Sequence, residues 1–141
     1  MKEPFVYTMR VRFRDTDMQG HVYFGNYFVF CDEALGAYMR AIGMPWQDMV
    51  KSGTDMFYVN ASCDYLGSAK FEEDVHIETR ISKLGSSSVT SAFVIRNSQG
   101  DTLANASVTS VCVDPKTREK VSVPHPLREA VAAFEEGRGD V

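Results

Sequence analysis

Arg12-Phe13-Arg14-Asp15-Thr16-Asp17-Met18-Gln19-Gly20-His21-Val22-Tyr23-Phe24-Gly25-Asn26-Tyr27 is the stretch on which the fold turns. On its N-terminal side Tyr7, Met9, Val11 and Phe13 alternate with Thr8, Arg10 and Arg12, a period of two that predicts a strand over Val6–Phe13. Arg14 to Gly20 is a polar, turn-forming break. On the other side Tyr27, Phe30, Cys31, Ala34, Leu35, Tyr38 and Ile42 recur mostly at spacings of three and four. That spacing predicts a helix with one apolar face, starting near Gly25-Asn26 and stopping at Gly43, with Pro45 just beyond. Between Asp15 and Asn26 the segment holds two aspartates, two glycines, a histidine and an asparagine. As a turn, Asp15 and Asp17 make Asx bonds, Gly20 supplies a positive φ and Asn26 caps the helix. As a site, the aspartates precede Val22, Tyr23 and Phe24, so one carboxylate lies beside apolar surface near a helix N-terminus. A desolvated carboxylate is a base or nucleophile, and free N–H groups at a helix start can hold an oxyanion.

Downstream the period changes to two. Phe57, Val59, Ala61, Cys63 and Tyr65 line one face of a strand. Val75, Ile77, Thr79 and Ile81 line the next, and Val89, Ser91, Phe93 and Ile95 the one after. A last long run spans Leu103 to Val113. Short turns at Lys83–Ser86 and Asn97–Asp101 predict a meander for the last three strands. Pro124-His125-Pro126 then introduces a short helix on which Leu127, Val131 and Phe134 share a face and Gly137 follows. The order β-α-β-β-β-β-α is α+β, with the helix against one face of a curved antiparallel sheet.

A chain of 141 residues makes one domain, 1–141, and buries about 70% of its unfolded surface. With 44% apolar and 24% charged residues it is an ordinary globular mixture rather than a disordered one. Fifteen Lys and Arg against nineteen Asp and Glu leave a net charge of −4, which argues against nucleic-acid or membrane-surface binding but permits a local grip on one small anion. Cys31, Cys63 and Cys112 are odd in number and widely spaced, which suits a reducing compartment better than disulfides. Met1-Lys2-Glu3-Pro4 lacks the apolar core of a leader, and no stretch approaches the ~20 apolar residues of a membrane span, so a cytoplasmic location is expected.

The serine-hydrolase elbow, the P-loop and the dinucleotide fingerprint are missing. His21, His76 and His125 have no metal-ligand spacing, so no metal site is expected. His76 falls on the polar side of its strand and reads as exposed. His125 reads as a capping or surface residue.

The run from Asp15 to Tyr27 resembles the signature of the hotdog-fold acyl-CoA thioesterases of the 4-hydroxybenzoyl-CoA thioesterase type, roughly D-x-D-x-x-G-x-V-x-(F/H)-x-x-Y. The resemblance extends more loosely over about residues 5–115, taking in the aromatic helix, the Gly43-Met44-Pro45 exit and the Tyr65-to-Asp74 connection. Gly20-His21-Val22 is closer to the long-chain acyl-CoA thioesterase branch, where G-H-V-N-N is usual and Tyr23-Phe24 here replace the asparagines. The mixture does not name the acyl group.

The resemblance implies a hotdog fold, one long helix wrapped by a curved antiparallel sheet of about five strands. It implies hydrolysis of an acyl-CoA without metal or cofactor. Asp17 would attack the thioester carbonyl or activate a water. The backbone N–H at Phe24 would hold the thioester oxygen, although the Phe24 side chain could equally be core. Asp15 would stabilise the loop. Tyr23, Asn26 and Tyr27 would shape the acyl pocket, with helix capping an equal reading for Asn26. His21, four residues from Asp17, either bonds it or the substrate, or fills a polar corner of a subunit contact. Glu33 reads as surface or dimer-facing, although a helix carboxylate is catalytic in another hotdog branch.

For CoA, Lys83 and the turn Gly85-Ser86-Ser87-Ser88 offer a cation and hydrogen-bond donors, or simply a solvated hairpin, with Lys70 and Arg118 ranked lower. Hotdog domains pair through a sheet edge, so a homodimer or homotetramer with a shared site is expected. Two rivals stand beside hydrolysis. A hotdog hydratase or dehydratase usually shows D-x-N-P-x-H, and the N-P is missing here. A non-catalytic acyl-CoA-binding domain has no use for the Asp17 carboxylate.

Overall fold

Among the described residues, five strands and three helices follow one another as β1 (Phe5–Arg10), α1 (Asn26–Ala41), α2 (Trp46–Lys51), β2 (Asp55–Tyr65), β3 (Asp74–Leu84), β4 (Ser88–Arg96), β5 (Thr102–Val113) and α3 (His125–Glu135). A computed structural model describes residues 3–138. The Met1-Lys2 start read above lies outside the described residues.

The strands form one antiparallel sheet in the order β1-β3-β4-β5-β2, and the β3-β4-β5 meander is as expected. Alternation decides which face is apolar. Val75, Ile77, Thr79 and Ile81 of β3 are buried, and so are Val89, Ser91, Phe93 and Ile95 of β4. Phe93 pairs with Thr79 on one side and Ala106 on the other, so the ring is flanked by small neighbours. Onto this face packs α1, burying Tyr27, Phe30, Cys31, Ala34, Leu35, Tyr38 and Met39. Each fully buried large side chain contributes about 1.5–3 kcal/mol, which outweighs the modest helix propensity of so many aromatics. This helix in a curved sheet is the hotdog arrangement.

Three local readings are corrected. The first strand ends at Arg10, because residues 13–15 turn into a single 3-10 turn and leave Phe13 78% exposed against Phe71. The short α2, started by Pro45 and anchored by buried Met49, was too brief to show a period. In β2 the face Phe57, Val59, Ala61, Cys63, Tyr65 does not exist as one face. A bulge between Tyr58 and Asn60 reverses the alternation: Phe57 lies under the Arg118 guanidinium, Val59 is exposed, and Tyr58 and Ala61 turn toward α1. β2 is a sheet edge and mostly solvent-facing.

α3 closes the other end of α1. Leu127 and Val131 are buried, Phe134 meets Phe5 and Tyr38, and the Tyr38 hydroxyl donates to Glu135. His125 opens this helix, exposed and paired with Glu129 at 2.7 Å. His76 is half-buried rather than free, its Nδ1 2.9 Å from the Thr8 hydroxyl.

Candidate active site

The segment between β1 and α1 is folded by its own polar groups. Asp15 is only 4% exposed and accepts from the Arg12 backbone N–H at 2.8 Å, from Nε at 3.1 Å and from Nη2 at 3.2 Å. The same carboxylate raises the Arg12 pKa, first by hydrogen bonding and then by charge. The desolvated carboxylate of the pair is therefore Asp15, and it acts on the loop. Asp17 is exposed, two residues further on, where its Oδ1 accepts from the Gln19 N–H at 2.9 Å. Its backbone N–H donates to the His21 carbonyl at 2.9 Å, closing a tight turn that Gly20 completes at φ +82°.

The turn is strapped back onto the start of α1. Thr16 bridges to Val22, and the Tyr23 N–H donates to the Asp15 carbonyl at 2.9 Å. The Asn26 side-chain amide donates to that same carbonyl at 2.9 Å. Asn26 is thus the first residue of α1 and clamps the loop. Gly25 holds the N-cap position, which corrects the capping reading. A Cβ on Gly25 would lie 3.0 Å from the Tyr23 ring, so a larger residue there would push the aromatic off the helix start by a few tenths of an ångström. Among the described residues the N–H groups of Phe24 and Gly25 donate to no protein acceptor, as first-turn amides do. They sit at the positive end of the α1 dipole.

Tyr23 and the 61% exposed Phe24 meet at a tilt, ring centroids 4.8 Å apart, and Phe24 meets Tyr65 edge-on at 6.0 Å. The Tyr65 hydroxyl donates to the Phe24 carbonyl at 2.9 Å. Tyr27 lies in the core, where its hydroxyl accepts the Ala69 N–H at 3.0 Å. Burial pushes the Tyr27 phenol pKa up. Ala69 in turn takes the Val22 N–H on its carbonyl at 2.9 Å. His21 is half-buried beside Lys70 through a backbone bridge, and its ring bonds neither Asp17 nor any other described residue. Glu33 is exposed and lines an open groove with Tyr7, Met9, Arg10 and Arg12.

Lys83 and Ser86–Ser88 lie elsewhere. β3 carries Asp74 at the signature end, where it pairs with Arg10, and Leu84 at its far end. From Asp74 to Leu84 β3 rises about 33 Å, so the 83–88 turn lies at the opposite end of this strand from the signature loop. There it is fastened: Arg128 donates to the Gly85 and Ser86 carbonyls, Val123 N–H to Ser86 and Cys112 N–H to Ser87. Lys83 and Ser86 are exposed.

One feature escaped the sequence reading. A cavity of about 90 Å³ opens between α1 and β2, walled by Phe28, Leu35, Ala61, Phe93 and Val108. Asp32 and Tyr58 close its rim, the Tyr58 hydroxyl donating to the Asp32 carboxylate. Cys31 lies against it, its thiol pKa pushed up by burial. The α1 residues follow the helical repeat, but their β2 partners depend on the bulge. Among the described residues no three of His, Cys, Asp and Glu converge as metal ligands, and no helix is long and apolar enough to cross a membrane.

The sequence pattern of the thioesterase-like superfamily matches residues 11–131. The acyl-CoA thioesterase YbgC of Haemophilus influenzae is 30% identical over 132 residues, 92% of this chain and 93% of that protein. The crystal structure of a hypothetical protein from Aquifex aeolicus superposes with a TM-score of 0.85 at 27% identity, covering 91% of this chain and 99% of the other. A Staphylococcus aureus protein crystallised with CoA shares the fold at a TM-score of 0.90 and 13% identity, over 100% of this chain and 89% of its own. A pattern spanning most of the chain, on a helix wrapped by this sheet and strapped by this loop, is a membership and not a likeness. The chain belongs to the thioesterase-like superfamily and is a hotdog-fold thioester hydrolase.

Proposed function

We propose that the protein hydrolyses an acyl-CoA, RCO–S–CoA plus water giving the carboxylate and CoA–SH. The observation that carries this is the pairing, on one strapped loop, of the exposed Asp17 carboxylate with the open N–H groups of Phe24 and Gly25. The thioester oxygen sits at the helix start and gains negative charge as the carbonyl is attacked, and the amides and dipole stabilise that charge. Asp17 either takes a proton from the attacking water, or adds to the carbonyl itself to give an acyl anhydride that water then hydrolyses, releasing the carboxylate and restoring Asp17. On either route the thiolate of CoA leaves, and a water proton ends on it. His21 stands beside the loop as a second polar contact for substrate. Tyr23 and Phe24 flank the reacting carbon, while Tyr27 and Asn26 hold the loop in register.

The active unit in this reading is a homodimer, or a tetramer of two such dimers, joined along β2. That edge strand is 11 residues long and carries exposed Tyr58, Val59 and Tyr65, an unpaired surface that a second copy would cover. Two-fold pairing runs the β2 strands antiparallel, so one protomer's Lys83–Ser88 end comes to the other's Phe24 end and can meet the CoA phosphates. Three free thiols accord with a cytoplasmic setting.

The test is thiol release from a panel of acyl-CoAs by wild type and Asp17→Asn. Asn keeps the oxygen that accepts from Gln19 N–H, so the fold is retained while the rate falls about 10²–10⁴-fold. Full activity in the variant, or no thiol from any substrate, would overturn the reading. A monomer by sedimentation would overturn the shared site.

A further inference from the structure

We propose that the acyl group is a straight, apolar chain of about eight carbons whose distal half occupies the cavity under α1, with Ala61 setting the length. The inference rests on the hydrolase reading and adds its substrate class.

Placement comes first. From the signature loop, α1 and the second half of β2 run side by side, held at one end by Tyr65 on Phe24 and at the other by Tyr58 on Asp32. The cavity lies between these two links. A thioester carbonyl held at the Phe24 N–H therefore lies about one helical turn from Phe28, the first α1 residue on the cavity wall.

Length follows from helix geometry. At about 1.5 Å per residue, Phe28 lies about 6 Å and Asp32 about 12 Å along the axis from Phe24. An extended chain advances about 1.2 Å per bond, since three backbone bonds span about 3.5 Å. Five bonds reach the near wall and about ten the rim, which centres the fit on about eight carbons.

Chemistry decides what kind of chain. The open wall is apolar throughout, and the one carboxylate at the rim already accepts from Tyr58. A cavity of about 90 Å³ has room for several methylenes, against the ~10–15 Å³ that one water needs. A hydroxyl that stops short of the rim would be buried against apolar wall without a partner. Ala61 faces this space from an exposed edge strand, where a larger side chain fills the cavity without displacing core.

The experiment measures thiol release with purified protein on straight-chain acyl-CoAs from acetyl to dodecanoyl, with ω-hydroxyoctanoyl-CoA and 4-hydroxybenzoyl-CoA beside them. From butyryl to octanoyl, kcat/KM should rise about fourfold per methylene and level off beyond. The ω-hydroxy chain should be at least about tenfold poorer than octanoyl. Ala61→Leu should cut the octanoyl-to-butyryl ratio by at least about tenfold and move the optimum to shorter chains. A flat chain-length profile, an unpenalised ω-hydroxyl, or an unchanged ratio in a folded Ala61→Leu would overturn the inference and leave hydrolysis standing. The first two need no variant. Absence of thiol from every substrate would instead take down the hydrolase reading and this inference with it.

Discussion

Replacing Tyr27 by Phe removes one oxygen from the first turn of α1 and leaves the ring where it is. That ring is 2% exposed and keeps its edge-on contacts with Phe30 at 5.9 Å and Tyr65 at 5.5 Å. What disappears is the acceptor for the Ala69 N–H, 3.0 Å away on a residue that is 0% exposed. A buried donor left without a partner costs about 1–3 kcal/mol, so about 2 kcal/mol is expected. For a chain of this size each kcal/mol moves the thermal midpoint by about 3–4 °C, giving a fall of about 6–8 °C. The urea midpoint should fall with an unchanged slope, because no extra surface is exposed on unfolding. Ala69 also accepts from Val22 on the strapped loop, so amide exchange at Ala69 and Val22 should accelerate more than elsewhere. Tyr65→Phe is the matched control. Its hydroxyl is exposed and the Phe24 carbonyl keeps a second donor in the Tyr27 N–H, so the change should stay within about 0.5 kcal/mol. A Tyr27→Phe midpoint within about 1 °C of wild type would refute the reasoning, since the loop would then not hang from the core through this bond.

Asp15→Ala strips the acceptor from both the Arg12 amide and its guanidinium, so the thermal midpoint should drop by several degrees, whereas Asp17→Asn should leave it unmoved; equal midpoints for the two would contradict their assigned roles. Burial raises the phenol pKa values of Tyr27, Tyr38 and Tyr58. The unfolded chain loses these protons from about pH 10 while the folded one keeps them, so stability is full below about pH 10 and declines above it. Thermal midpoints measured from pH 8 upward test this, and a midpoint that stays flat through pH 11 would count against it. Iodoacetamide should label half-buried Cys63 well before buried Cys31 and Cys112 in the native protein, as mapped by mass spectrometry; Cys31 reacting as fast as Cys63 would show that the α1 face opens readily.

The sequence by itself determined the parts whose cause is local. The three-and-four spacing from Tyr27 to Tyr38 can satisfy its backbone and its apolar face only as a helix, and burial alternates over most of β3 and over the middle of β4 and β5 because one face of the sheet is covered. The Asp15-to-Tyr27 run was legible as a functional loop because side-chain types at fixed spacing carry it. Tertiary structure decided the rest. Which aspartate is desolvated depends on Arg12 folding back over Asp15, a choice no spacing of Asp15 and Asp17 reveals. The face of β2 reverses at a bulge whose position is set by pairing with β5, so a period-two reading puts Phe57 and Val59 on the wrong side. The cavity follows from that reversal, since Ala61 and Tyr58 reach Asp32 and Leu35 only across residues far apart in the chain. The distance between the 83–88 turn and Asp17 is likewise a property of strand order. Local rules give elements and candidate groups, but a site is a set of distances, and those come from how the elements pack.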